Sequence, residues 1–153
     1  MSNKILITGA TGFIGSHLTE YCVRRGFDVI AFDRYNSNNN WGWLEFSQYK
    51  KDIRVILGDI RDYDSVNKAA KECNFVFHLA ALIGIPYSYV SPLAYIRTNV
   101  EGTYNVLESS KNNNNIEQVL ITSTSETYGT AQYTPMDEKH PLVGQSPYSA
   151  SKI

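Results

Sequence analysis

Cysteine is scarce in this chain, with two in 153 residues, Cys22 and Cys73. So few cysteines exclude a disulfide-built fold. Both fall within apparent helices and are expected as buried thiols, the state that suits a reducing cytoplasm. An excess of one charge is also missing: 14 basic residues face 15 acidic ones, for a net charge of −1. No long-range field then draws the chain to a nucleic-acid polymer or an anionic membrane, so neither partner is expected. An anionic ligand must be held by local groups. No apolar segment of signal-peptide or membrane-spanning length opens the sequence; its first apolar run is only strand-length. No metal ligand set is expected, and no internal repeat is visible.

What is present reads as one soluble domain over residues 1–153, 42% hydrophobic and 19% charged. Short apolar runs at 4–8, 28–32, 53–57, 74–79 and 118–122 predict strands that are apolar on both faces, as buried parallel strands must be. Helices are predicted at 12–25, 63–72 and 92–112, with Gly26 ending the first. In the last, Leu93, Ile96, Val100, Tyr104 and Leu107 recur at helical spacing. The alternation predicts a doubly wound α/β fold, a parallel sheet between two layers of helices. Residues 36–40 are polar, and Trp41 and Trp43 follow, suggesting a packed lid or contact surface. Residues 112–115 are a turn of asparagines.

Gly9, Gly12 and Gly15 lie between the first strand and the first helix. In that context Gly9 permits a tight turn, Gly12 lets a pyrophosphate approach the backbone, and Gly15 allows close helix packing. The helix N-terminus offers N–H groups and a positive dipole end to phosphates. A ligand-free glycine turn is the alternative. Asp33 ends the second strand, where a carboxylate can accept adenosine ribose hydroxyls and repel a 2′-phosphate. That favours NAD over NADP, although Arg34 beside it can hold a 2′-phosphate; an exposed turn carboxylate is the plainer reading of Asp33. Asp59 and Ile60, after the third strand, lie where an adenine ring would sit. Asp59 could instead cap the next helix, and Asp62 competes for that role.

Tyr148 and Lys152 stand one helical turn apart, and a cation at i+4 stabilises a phenolate. Alone, such a pair is usually a solvated helix face. Here it follows the polar cluster Thr122, Ser123, Thr124, Ser125 and Glu126 at a strand's carboxyl edge, where open α/β sheets place their sites. Ser146 at the N-cap and Pro147 at the first helical position would hold the pair on the first turns of one rigid helix.

These motifs, with the run His78 to Ala81, then Asn99, Gly102 and Thr103, and Tyr128 with Gly129, resemble the extended short-chain dehydrogenase/reductases. In particular they resemble the NAD-dependent nucleotide-sugar epimerase/dehydratase group, over essentially the whole chain. The resemblance implies a Rossmann fold and NAD as cofactor, lined by Thr11, Phe13, Ile14, Leu79, Ala80, Ala81, Asn99 and Thr122 besides the residues above. It implies a triad in which Tyr148 takes the sugar O4 proton, Thr124 bonds the same oxygen, and Lys152 binds the nicotinamide ribose and promotes Tyr148 ionisation. Thr124, Ser125 and Glu126 resemble the GDP-mannose 4,6-dehydratases, where the Glu is the base at C5; sugar-nucleotide decarboxylases share this pattern. Simple C4 epimerases usually lack that Glu, and the commonest dTDP-glucose dehydratases carry Asp where Ser125 stands. The segments around Tyr35, Trp41 to Leu44, Ala81 to Tyr89, Tyr128 to Gln132 and Ser146 to Ile153 look closest to the N-acetylglucosamine-nucleotide 4,6-dehydratases of legionaminic-acid synthesis. Thr127 stands where that group generally has Val. The substrate implied is a UDP- or GDP-linked sugar, and the full-length form is expected to be a homodimer. Family members run well beyond this length, so the chain is expected to be the N-terminal, cofactor-binding part. An inactive NAD-binding fragment is the rival reading from another class.

Overall fold

The computed structural model describes residues 3–153. The five apolar runs form strands β1 (Lys4–Thr8), β2 (Asp28–Arg34), β3 (Ile53–Gly58), β4 (Phe75–His78) and β5 (Gln118–Ile121). The α-helices are α1 (Phe13–Arg24), α2 (Tyr63–Ala70), α3 (Ile85–Val90), α4 (Pro92–Tyr95), α5 (Gly102–Lys111) and α6 (Pro147–Ala150). The strands pair in parallel, in the order β3-β2-β1-β4-β5. Strand order reverses between β1 and β4, the switch point at which open α/β sheets bind ligands. The fold is the doubly wound Rossmann arrangement that the sequence predicts.

The contacts group into two units. One holds the residues up to Ala80 and Gly102–Thr122; the other holds Ala81–Glu101 and Ser123–Ile153. Period-two alternation builds two cores in the first unit. Leu6, Ile30, Phe32 and Val76 face Val66 and Ala69 of α2 and Val106 of α5. Their neighbours Ile5, Ile7, Val29 and Ala31 pack with Cys22 of α1 and with Leu44. Truncating one such fully buried Leu or Ile to Ala costs about 2–5 kcal/mol. Gly26 closes α1 at φ +84°. Its N–H bonds Val23 O and that of Phe27 bonds Cys22 O, a Schellman ending.

Some expectations are corrected. β3 and β5 are not apolar-buried on both faces: Arg54, Leu120 and Ile121 are exposed, because both are edge strands among the described residues. The helix expected at 92–112 is three pieces, α4, a π-helical stretch Ile96–Glu101, and α5. Leu93, Ile96, Val100, Tyr104 and Leu107 are all exposed, while Tyr95, Asn99 and Val106 are buried. Cys73 lies beyond the end of α2 rather than within a helix. Its thiol reaches Ala69 O at 3.6 Å, and burial pushes its pKa up to about 12. Burial also raises Cys22. Both are inert thiols.

In the second unit Tyr95 is fully buried, and its hydroxyl donates to Gly84 O at 2.6 Å. The loop after Gly129 is tied down by Val143 N–H on Thr127 O (2.8 Å) and by Tyr89 Oη on Gln145 O (3.0 Å). His140, buried between Tyr128 and Tyr133, accepts Gln132 N–H at Nε2 (3.0 Å).

Candidate functional site

The glycine loop leaves β1 and enters α1. Gly9 turns at φ +69°, and a Cβ there would strike Ala80 N at 2.8 Å. A Cβ on Gly15 would strike Gly9 O at 2.1 Å, so the close approach is to the turn itself. Gly12 is different. Its φ of −74° suits any residue, and an added Cβ would meet only Gly9 O, at 3.4 Å. The protein's own packing does not demand glycine there, so the open space fits a ligand reaching the backbone. Gly12 is the N-cap of α1, with no side-chain cap and no acidic residue in the first turn. The first-turn donors and dipole therefore face that space with no acidic side chain of the helix itself competing for them. Phe13 and Ile14 are exposed beside it. These residues fit a dinucleotide pyrophosphate.

Asp33, at the carboxyl end of β2, turns its side chain to this loop. Its Oδ2 accepts Thr11 N–H (2.8 Å) and Thr11 Oγ1–H (2.6 Å), and its Oδ1 accepts Arg34 N–H (2.7 Å). The tryptophan segment belongs here too. Its 3-10 helix, Gly42–Phe46, buries Leu44 in the core and donates Trp43 N–H to Thr11 O at 3.1 Å. Trp43 is exposed and meets Phe13 edge-on at 6.1 Å. Lys50 Nζ lies 4.9 Å over the Trp41 ring.

At the end of β3, Asp62 is the N-cap of α2, accepting Asp64 N–H at 3.1 Å. Asp59 instead takes the Arg61 guanidinium on both oxygens, and that bond holds its carboxyl below the usual range. Ile60 is buried, close enough to Gly102 that a Cβ there would meet its Cδ1 at 2.6 Å. His78 bridges Thr8 Oγ1 (2.7 Å) and Thr103 Oγ1 (3.0 Å). Leu79 N–H and Ala80 N–H bond Thr8, and Thr122 N–H bonds His78 O, so this edge is positioned by backbone.

The second unit carries the polar cluster. Thr124 caps a 3-10 helix, Ser125–Tyr128, its hydroxyl accepting Glu126 N–H at 3.3 Å. Ser125 and Glu126 are exposed on its first turn. Ser146 caps α6 in a reciprocal box with Ser149, and Pro147 occupies the first turn. Tyr148 is buried and stands edge-on to Tyr95, ring centroids 6.3 Å apart. The helix is shorter than expected: α6 ends at Ala150, and Lys152 lies in the turn beyond it. Burial lowers the Lys152 pKa. Ser123 Oγ reaches Lys152 O at 3.3 Å.

Asn99 sits in the π-helical stretch and forms a hub. Its Oδ1 accepts Leu82 N–H (2.8 Å), and its Nδ2 donates to Leu82 O (2.9 Å) and to Ser151 Oγ (2.8 Å). Leu82 is the residue after Ala81. Ser151 in turn donates to Tyr148 O at 2.6 Å. Tyr95 and Ser151 support Tyr148 but were not singled out from sequence. Ser151 lies inside the Tyr-x-x-x-Lys span, and only its link to Asn99 marks it. Among the described residues no His, Cys, Asp and Glu group could hold a metal ion, and no helix is long and apolar enough to cross a membrane.

Known proteins share this architecture. The human UDP-glucose 4-epimerase is 30% identical over 164 aligned positions, covering 100% of this chain and 47% of that protein. The UDP-N-acetylglucosamine 4-epimerase from Methanobrevibacter ruminantium M1, solved with UDP-N-acetylmuramic acid, superposes with a TM-score of 0.86 at 32% identity, covering 99% of this chain and 48% of that one. The Bifidobacterium longum UDP-glucose 4-epimerase, solved with NAD+ and UDP, gives a TM-score of 0.83 at 28% identity, with 98% and 46% covered. The chain spans about half the length of the curated relatives it matches. The profile of one family, GDP-mannose 4,6 dehydratase, matches residues 6–153. With its strand order, glycine loop and Tyr-x-x-x-Lys turn in place, the chain belongs to the GDP-mannose 4,6-dehydratase family of nucleotide-sugar enzymes.

Proposed function

We propose that this chain is the cofactor-binding part of an NAD-dependent nucleotide-sugar 4,6-dehydratase. The open space at Gly12, bordered by uncapped α1 and by Asp33, supports the dinucleotide, and Asp33 supports NAD over NADP. The observation that carries the dehydratase reading is Glu126, exposed two residues after Thr124 on a helix that Thr124 itself caps. When bound, the nicotinamide supplies a hydride acceptor at sugar C4 and later the donor to C6. Tyr148 takes the O4 proton, and Thr124 hydrogen-bonds the same oxygen. Lys152 would bind the nicotinamide ribose. The C4 ketone acidifies C5 and Glu126 removes that proton; the hydroxide leaving C6 takes up a proton from solvent and departs as water, and Glu126 returns a proton to C5. Each such acid–base placement contributes about 10²–10⁴-fold. The substrate is a UDP- or GDP-linked N-acetylglucosamine.

A second reading, 4-epimerisation, is favoured by the epimerases among the relatives. It uses Tyr148 and Thr124 but not Glu126. Incubation of the full-length enzyme with NAD and UDP- or GDP-N-acetylglucosamine decides between them. A 4-keto-6-deoxy product is expected; a C4 epimer with C6 oxygen retained overturns the dehydratase reading in favour of the epimerase.

A further inference from the structure

We infer that Thr11 is a positioning residue that fixes the Asp33 carboxylate and thereby sets the choice between an adenosine ribose with a free 2′-hydroxyl and one with a 2′-phosphate. The inference rests on the NAD reading above and deepens it. A carboxylate offers about four acceptor positions. Three are filled within the chain: Thr11 N–H and Thr11 Oγ1–H on Oδ2, and Arg34 N–H on Oδ1. One position, on Oδ1, is left to receive a ribose hydroxyl. Asp33 therefore meets its ligand through one oxygen, at an angle Thr11 dictates, and it cannot swing away from an approaching anion.

Thr11 is itself held from the other side. Its carbonyl accepts Trp43 N–H at 3.1 Å. The 3-10 helix comes this near because Gly42 has φ +54° and no Cβ; a Cβ there would lie 2.6 Å from Thr11 O. Each backbone polar group of Thr11 and its hydroxyl is thus engaged. The tryptophan segment acts as a buttress of the dinucleotide loop. Without the Thr11 hydroxyl, Asp33 turns more freely, its repulsion of a 2′-phosphate weakens, and Arg34 next to it is available as a phosphate partner.

The test is calorimetric titration of NAD and NADP into the native chain, Thr11→Val, Thr11→Ser, Asp33→Asn and the Val/Asn double variant, with thermal unfolding of each unliganded chain as a folding check. A hydrogen bond to a charged group is worth about a factor of ten. Thr11→Val should lose about tenfold in NAD affinity and narrow the NAD-to-NADP ratio. Thr11→Ser should keep both. In the Asp33→Asn background the Val substitution should change the ratio little further. An unchanged ratio in Thr11→Val, or equal Val effects in both backgrounds, overturns the inference while leaving the NAD reading standing. If Thr11→Val does not fold, Gly42→Ala is read instead: it displaces the Thr11 carbonyl and should narrow the same ratio, and an unchanged ratio overturns the inference. A native chain that binds neither dinucleotide overturns the NAD reading itself.

Discussion

Tyr148 and Glu126 are single groups with separable tasks, and substitution should separate them in the full-length enzyme. Tyr148→Phe keeps the ring against Tyr95 but loses the hydroxyl, so oxidation at C4 should stop while NAD binding persists. The expected loss is about 10²-fold or more. Glu126→Gln should act later: C4 oxidation continues, elimination stalls, and solvent deuterium no longer enters C5. Normal dehydration by Glu126→Gln would remove the key residue from the dehydratase reading. Lys152 gives a pH prediction. Burial lowers its folded-state pKa below the usual lysine value. Between the folded and unfolded pKa values the unfolded chain holds more protons, so stability rises as pH increases through that window. Below the window the unfavourable burial of the ammonium is fully in place. Amine-labelling followed by mass spectrometry should show Lys152 titrating below the ordinary lysine range, and Lys152→Met should flatten the stability slope. Titration of Lys152 within the ordinary range contradicts this. At this scale the sequence exposed the residue types well. Gly9, Gly12 and Gly15 look alike in the chain, and only the distances separate Gly12, with open space above it, from two glycines demanded by packing.

Elements were legible where local chemistry decides them. Ser146 and Pro147 announce the start of α6, and the structure places the cap there. Ser146→Ala removes the acceptor for Ser149 N–H and should cost about 0.5–2 kcal/mol in chemical denaturation. A change under a few tenths would show the box to be idle. Strands β1, β2 and β4 were legible because inner strands of a parallel sheet read as continuous apolar runs, and edge strand β3 was legible despite exposed Arg54 because Ile53, Val55, Ile56 and Leu57 surround it. Helix 92–112 was not. Its apolar residues at helical spacing predict one continuous helix, yet the backbone takes a π-helical stretch around Asn99. Such bulges follow from tertiary bonding, here Asn99 to Leu82 and Ser151, and no local propensity reports it.

Across the whole molecule the exposed residues Leu93, Ile96, Val100, Tyr104 and Leu107 stand out, because monomers rarely leave so many large apolar side chains in water. The chain should associate with itself as concentration rises. Sedimentation should show mass growing with concentration, and Val100→Asp with Tyr104→Lys should suppress it. A monodisperse monomer at high concentration overturns the expectation. The contacts within the chain group into two units, whose boundaries fall at Ala80, Glu101 and Thr122.

The strand–helix alternation, the glycine loop and the likeness to nucleotide-sugar enzymes are written in the amino-acid order, since periodicity and short motifs are local properties of the chain. It also marked Asp33, Tyr148, Lys152 and the cluster holding Thr124 and Glu126 by type and spacing, and Thr11 through that likeness. Folding alone brings Thr11 to Asp33 across 22 residues and Asn99 to Ser151 across 52. The same holds for Gly42, whose missing side chain lets the tryptophan helix touch Thr11. Those links form between segments remote in sequence, where one hydrogen bond depends on how the backbone folds and no neighbouring residue records it.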